Sequence, residues 1–336
     1  MRSLIFTLIC LFLAMPCWAG ETLNSILARK TIRCGVSPDI PGFALQDAQG
    51  QWSGMDVDFC RAVAAAILQT PDKVSFVPLP TRARFSSLLS KEIDLLSRNT
   101  SQTIGRESQL GVLFAGPLFI TGQAFLVRSE DASKGLKGLD NATIAVIKGS
   151  THVHNLEYVA AKNNLRFHPV LFDGLELAAR AFLDGQCAAL TNDATVLAAV
   201  RLLAPKGEQS LTLLPGLHSR EIISPVVRQD DIPWLLTIKA VLSALVTAEE
   251  LGLTAATLQA ASITPATGDI RVFLDRTDAL AASLGLTPGW AGRAIAAVGN
   301  YGEMLERNLG KNGPLKLERG PNRLVRDGGM IYAVPF

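Results

Sequence analysis

The feature that most constrains this chain is an alternation of short β-branched, apolar runs with longer runs whose apolar residues recur at helical spacing. "TIRCGV", "VSFVPL", "EIDLLS", "AFLVR", "TIAVI", "RFHPVLF" and "CAALT" read as strands or strand ends. Between them, "DVDFCRAVAAAILQ", "ARFSSLLSKE", "HNLEYVAAKNN", "GLELAARAFLDG" and "DATVLAAVRLLA" carry the 3.6-residue period of helices. Such alternation predicts an α/β fold with helices on both faces of its sheets. From Ile232 to Leu309 the pattern turns mostly helical, punctuated by Gly252, Pro265, Gly268, Pro288 and Gly310. At 336 residues and 48% hydrophobic, the chain is long enough for two cores.

Its first residues read as an export signal. Arg2 gives a positive start, Leu4 to Ala14 is an apolar stretch of signal-peptide length, and Cys17-Trp18-Ala19 ends in a small residue, so cleavage after Ala19 is expected and residues 1–19 form the leader. Pro16 and Glu21 cut the run short of the roughly 20 apolar residues of a membrane anchor. Pro16 also argues against acylation of Cys17. No later apolar stretch reads as long enough to span a membrane, so the exported protein is expected to be soluble. The formal net charge is +2, of which Arg2 supplies one unit, a balance that argues against nucleic acid as a partner.

Of five cysteines, Cys10 and Cys17 leave with the leader. Cys34 lies in a strand-like run and Cys60 in the helix-like run after it, so the two can face each other within one βα unit; an oxidising compartment permits a bridge, and the pairing stays open at this point.

Six segments carry a resemblance: the leader, "CGVSPDIPGF", "GMDVDFCRAVAAAI", "EIDLLSRNTSQTIGR", "GQCAALTND" and "VGNYGEMLERN". In order and spacing they resemble the periplasmic solute-binding proteins of ABC transporters for polar amino acids (solute-binding protein family 3), closest to the general L-amino-acid-binding branch, over nearly all of the exported chain. The resemblance implies a bilobal fold: residues 20–127 plus 226–336 in one lobe, with a helical C-terminal extension, residues 128–225 in the other, and a hinge crossed twice. It implies capture of an L-amino acid between the lobes and delivery to an ABC permease in the inner membrane. A monomer without cofactor or metal, and without enzymatic activity, is expected. The tail from Asn312 onward would wrap the first lobe. Relatives often pair a second cysteine with the one at Cys187, but Ala145 stands there, so a buried free thiol is expected.

An amino-acid zwitterion requires a cation for its carboxylate and a carboxylate for its ammonium. Arginine suits the first because its planar fork binds carboxylate with two parallel hydrogen bonds. The resemblance places Arg106 in that role, with Asn99, Thr100 and Ser101 adding donors. Ser150 and Thr151 stand at a helix start, where backbone N–H groups favour an anion and where both are also good caps. Asp193 follows "CAALT" and would take the ammonium, with helix capping as its plainer role. Phe43, after the "PGF" turn, would touch the ligand side chain. His152 and His154, spaced i and i+2, point different ways at a helix start and read as solvated residues, not metal ligands. Asp56 and Asp58 suit helix-dipole complementation better than acid–base work, and "VGNYGEMLERN" reads as packing.

Departures from the family pattern bear on specificity. Gln102 stands in place of tryptophan, Thr121 of an acidic residue, Val153 of glutamate and Ala188 of aspartate. With less apolar wall at Gln102, polar or amide ligands are expected. Two other functions use the same fold: a ligand sensor for a membrane receptor, and a dehydratase acting on prephenate or arogenate.

Overall fold

The computed structural model describes residues 20–261 and 268–336; the leader lies outside them. Two five-stranded sheets organise the chain. In the first, Ile32–Val36 lies between Val74–Pro78 and Leu95–Leu96, all parallel, and Val226–Arg228 runs antiparallel between Leu95–Leu96 and Val112–Phe114. The second repeats the plan. Ala142–Ile147 lies between Phe167–Phe172 and Ala189–Asp193, and Gln123–Arg128 runs antiparallel between Ala189–Asp193 and Leu211–Leu213. This is a bilobal α/β fold, and every expected strand and helix named before residue 203 contributes to it.

The antiparallel strand of each sheet is the one fed by a crossing between sheets. Phe119–Thr121 leads through Gly122 into Gln123–Arg128, and Glu221–Ile223 leads back into Val226–Arg228. The two outgoing segments pair with each other as a two-stranded ribbon, Thr121 opposite Glu221. The sheet change thus falls before the expected boundary at residue 127. In "LFITGQAFLVR" both strands are buried, including the polar Thr121 and Gln123, so the run reads as one continuous strand interrupted only by Gly122. At Gly122 a Cβ would come within 2.4 Å of the Ser219 carbonyl oxygen, so only glycine lets the strands pass this closely.

The core of the first lobe is built on the helix Met55–Leu68, almost all of whose residues are buried. Cys34 and Cys60 are bridged across the strand–helix interface, with Cα atoms 6.4 Å apart; Cys187 is free and buried. Asp58 accepts hydrogen bonds from Arg307 and from Asn308 Nδ2 at 2.7 Å, tying "VGNYGEMLERN" to this helix. The last helix, Tyr301–Asn308, starts with a capping box of Asn300 and Glu303. The tail pairs Arg319 with Glu249, stacks Phe336 near Phe273 and Trp290, and reaches the ribbon, where the Asn322 amide holds both the N–H and the C=O of Ile120.

One expectation is corrected here. The helix Ile232–Glu250 is 19 residues long with mean hydropathy 1.4, so by length and composition alone it could cross a membrane. In the fold 61% of its 18-residue apolar stretch is buried, packed on Met55–Leu68, Trp290–Val298 and Tyr301–Asn308. Its hydrophobicity is that of a helix covered on most sides by others.

The bridge closes a 26-residue span. Replacing both Cys34 and Cys60 with alanine is expected to lower stability by about 2–4 kcal/mol, read as a reduced midpoint in urea. An unchanged midpoint, with a wild type insensitive to reductant, would show that the bridge contributes nothing.

Candidate functional site

A cleft with about 120 Å³ of water-reachable space lies between the two sheets, lined from one side by Ser37 to Arg106 and from the other by Ile147 to Asp193. The volume suits a small molecule and not a polymer. Its first wall rests on Asp56. Buried at the start of its helix, the Asp56 carboxylate accepts from Ser97 Oγ at 2.8 Å and from the Asn99 backbone N–H at 2.9 Å. Asn99 takes a left-handed backbone conformation, φ 41°, and its side-chain amide donates across the cleft to Asp193 at 3.2 Å. The loop continues along the ribbon. Ser101 bridges Ile223, and the Gln102 N–H donates to the Ile222 carbonyl.

Thr103 caps the helix Ile104–Leu110, accepting from the Arg106 N–H, and so fixes where Arg106 leaves the backbone. The Arg106 guanidinium donates to the Ser101 carbonyl and lies 5.4 Å from the centre of the Phe85 ring. Burial lowers its pKa while Glu221 and Asp193 raise it. Two further arginines, Arg84 and Arg98, line the same wall. Arg98 donates to the Leu79 carbonyl at 2.7 Å and to the Thr81 hydroxyl at 3.1 Å.

From the second lobe, Asp193 ends the strand Ala189–Asp193 and opens the helix Ala194–Leu202, as its sequence context predicted, but its side chain makes no capping bond. It faces Asn99 Nδ2 and His152 Nε2, each at 3.2 Å. Ser150 and Thr151 open the helix Thr151–Asn163. Ser150 Oγ donates to the Ile147 carbonyl, and Thr151 Oγ1 donates to Glu221 at 3.2 Å. Glu221, buried in the ribbon, also accepts from Asn155 and Ser219 at 2.9 Å.

Six of the expected residues therefore line one cleft: Asn99, Ser101, Arg106, Ser150, Thr151 and Asp193. Two do not. Phe43 is buried in the first core, edge-on to Phe119 with ring centres 5.4 Å apart; the turn at Gly42 drives its ring inward, away from the cleft. The Thr100 hydroxyl turns back to the Arg98 carbonyl at 3.0 Å, because the residue is buried where its loop meets the ribbon. His152 is buried against Asp193 and not solvated as expected, because its side of the first helical turn faces the cleft, whereas His154 is exposed. No group of three or more metal-ligating side chains occurs among the described residues.

The four departures also sit elsewhere. Gln102 bonds Glu107 at 3.2 Å and faces a groove beside Phe114 and Lys239, so the ligand preference built on it loses its basis. Thr121 is buried in the ribbon, Val153 packs on the second core, and the Ala188 N–H donates to Thr143 at the far end of its strand. Sequence reasoning missed Arg84, Arg98 and Asp39 in the lining. Asp39 and Arg98 lie inside segments that carry the resemblance but were read there as background to Arg106 and the turn, and Arg84 opens the short helix Arg84–Leu89 with no motif around it.

Burial raises the Asp56 carboxyl from 3.8 to about 6, against the opposing pull of Ser97, Asn99 and Arg98. A raised carboxyl pKa means that the native state holds its proton more tightly than the unfolded chain. The resulting stabilisation is complete below about pH 4 and lost as pH rises through 6, at most about 3 kcal/mol. Asp56→Asn should remove it. The stability difference between wild type and Asp56→Asn, from urea titrations at pH 4 and pH 7, should move against wild type by about 2–3 kcal/mol; a difference independent of pH would contradict this.

Comparisons with known proteins agree with this geometry. The general L-amino acid-binding periplasmic protein AapJ of Rhizobium johnstonii is 40% identical over 319 residues, 94% of this chain and 93% of that one. The glutamate/glutamine/aspartate/asparagine-binding protein BztA of Rhodobacter capsulatus is 37% identical over 318 residues, 95% and 94%. A solved ABC transporter periplasmic binding protein from Brucella ovis, with glutathione bound, is 37% identical with a TM-score of 0.88, covering 94% of this chain and 98% of that one. The family model for bacterial extracellular solute-binding proteins, family 3, matches residues 32–256, and the chain belongs to that family.

Proposed function

We propose that this protein captures an L-amino acid in the cleft between its lobes and delivers it to an ABC permease of the inner membrane. The observation that carries this reading is the placement of Arg106 and Asp193 on opposite walls of one small cleft. Arg106 can grip the α-carboxylate with two parallel hydrogen bonds, and the start of the Thr151 helix adds N–H groups from the other lobe. Asp193 takes the ammonium. A ligand held this way touches both lobes only when they are closed, and that differential contact is what stabilises closure.

Relatives named for amino-acid binding, in the periplasm and with ABC transporters, support the ligand class and the setting. On this reading the leader is cleaved after Ala19, the exported protein works as a monomer, and the ligand leaves chemically unchanged. The glutathione in the Brucella ovis structure favours one second ligand, since glutathione carries an amino-acid head group on its γ-glutamyl end. Thermal shift against the twenty L-amino acids and glutathione separates the two, because a ligand that binds only the folded state raises apparent stability as RT ln(1 + [L]/Kd).

Arg106→Ala and Asp193→Asn should each weaken the best amino-acid ligand by about 2–5 kcal/mol, the cost of removing one partner of a buried charge pair, with circular dichroism unchanged. Calorimetry giving affinities within about threefold of wild type, a change of under 1 kcal/mol, would remove the zwitterion clamp.

A further inference from the structure

Three guanidinium groups share the first wall of the cleft, and they are not equally matched. Arg98 has the carboxylates of Asp39 and Asp56 acting on it, and Arg106 has Glu221 and Asp193. Arg84 has none. Burial first, then the positive charges of Arg106 and Arg98, depress its pKa, and no carboxylate opposes them. Asp173, also in the lining, is exposed and faces Arg82 at 3.6 Å.

The geometry of Arg84 shows the same gap. The residue is only 4% exposed, yet it lines the cleft. Its Nη1 donates to the Thr81 carbonyl at 3.1 Å and Nη2 to the Gly149 carbonyl of the opposite lobe at 3.4 Å, while Nε is buried with no acceptor. It lies 4.8 Å from the centre of the Phe85 ring, the same ring that supports Arg106. A buried charge with no counter-charge is costly, and neutral carbonyls offset little of that cost. A neutral zwitterion on Arg106 and Asp193 brings no charge for Arg84.

We infer that Arg84 is the specificity-determining residue of the cleft, where its guanidinium takes a second carboxylate, that of an acidic L-amino-acid side chain. This inference rests on the amino-acid reading above. Glutamate and aspartate then bind in preference to glutamine and asparagine, whose amides fill the same space without the charge.

The test is calorimetry with L-glutamate and L-glutamine on wild type, Arg84→Met and Arg84→Gln, the last read beside the Met variant should that one fail to fold. Wild type should bind glutamate at least tenfold more tightly than glutamine, and the neutral variants should bring that ratio to within threefold of unity. A wild-type ratio near one, or a ratio that survives in the variants while both affinities fall together, would overturn the assignment. If glutamate does not bind while other L-amino acids raise the melting temperature, the second-carboxylate site is wrong and the amino-acid reading stands. If none of the twenty does so, both fall.

Discussion

The antiparallel pairing of Phe119–Thr121 with Glu221–Ile223 is the constraint on which the cleft depends. Both crossings between the sheets run through this ribbon, and each continues into the antiparallel strand of the sheet it enters. The binding loop is laid along it from the first lobe: the Ser224 N–H donates to Thr100, Ser101 bridges Ile223, and Gln102 bonds Ile222. From the second lobe, Thr151 and Asn155 reach Glu221 on the same strand. A hinge of two short paired strands therefore positions the donors of one lobe and the helix start of the other. The Asn322 amide, which satisfies both backbone groups of Ile120, braces the ribbon from behind with the C-terminal tail.

Charge decides what the cleft can hold. Its two walls meet through Asn99 with Asp193 and Arg84 with the Gly149 carbonyl, contacts of 3.2 and 3.4 Å between groups that each have stronger partners to gain. Charge-assisted hydrogen bonds are roughly twice as strong as neutral ones. A ligand that supplies carboxylates to the arginines and an ammonium to Asp193 replaces weak direct contacts with strong bridging ones. On the proposed function, closure would follow from the ligand's own charges.

Much of this was legible in the sequence, and the parts that were not share a cause. The strands and helices announced themselves through two different periods, and Arg106, Ser150, Thr151 and Asp193 through the segments around them. Phe43 was misread because a turn at Gly42 has no visible direction in sequence, and the ring it carries fills the core. The crossing at Gly122 was placed late because the strands on either side of it are both buried, and a single glycine between them was not read as a change of sheet. Gln102, inside the binding loop by number, points away from the cleft because its backbone is committed to the ribbon. Arg84 and Arg98 were invisible for the opposite reason: their importance lies in which carboxylates they lack or face, a property of three-dimensional neighbours alone.

The most direct measurement is a crystal structure of the exported protein with L-glutamate bound. The account predicts the α-carboxylate within hydrogen-bond distance of the Arg106 guanidinium, the ammonium on the Asp193 carboxylate, and the lobes closed around both. A glutamate seated outside the cleft, or one whose ammonium lies away from Asp193 and whose α-carboxylate lies away from Arg106, would contradict it.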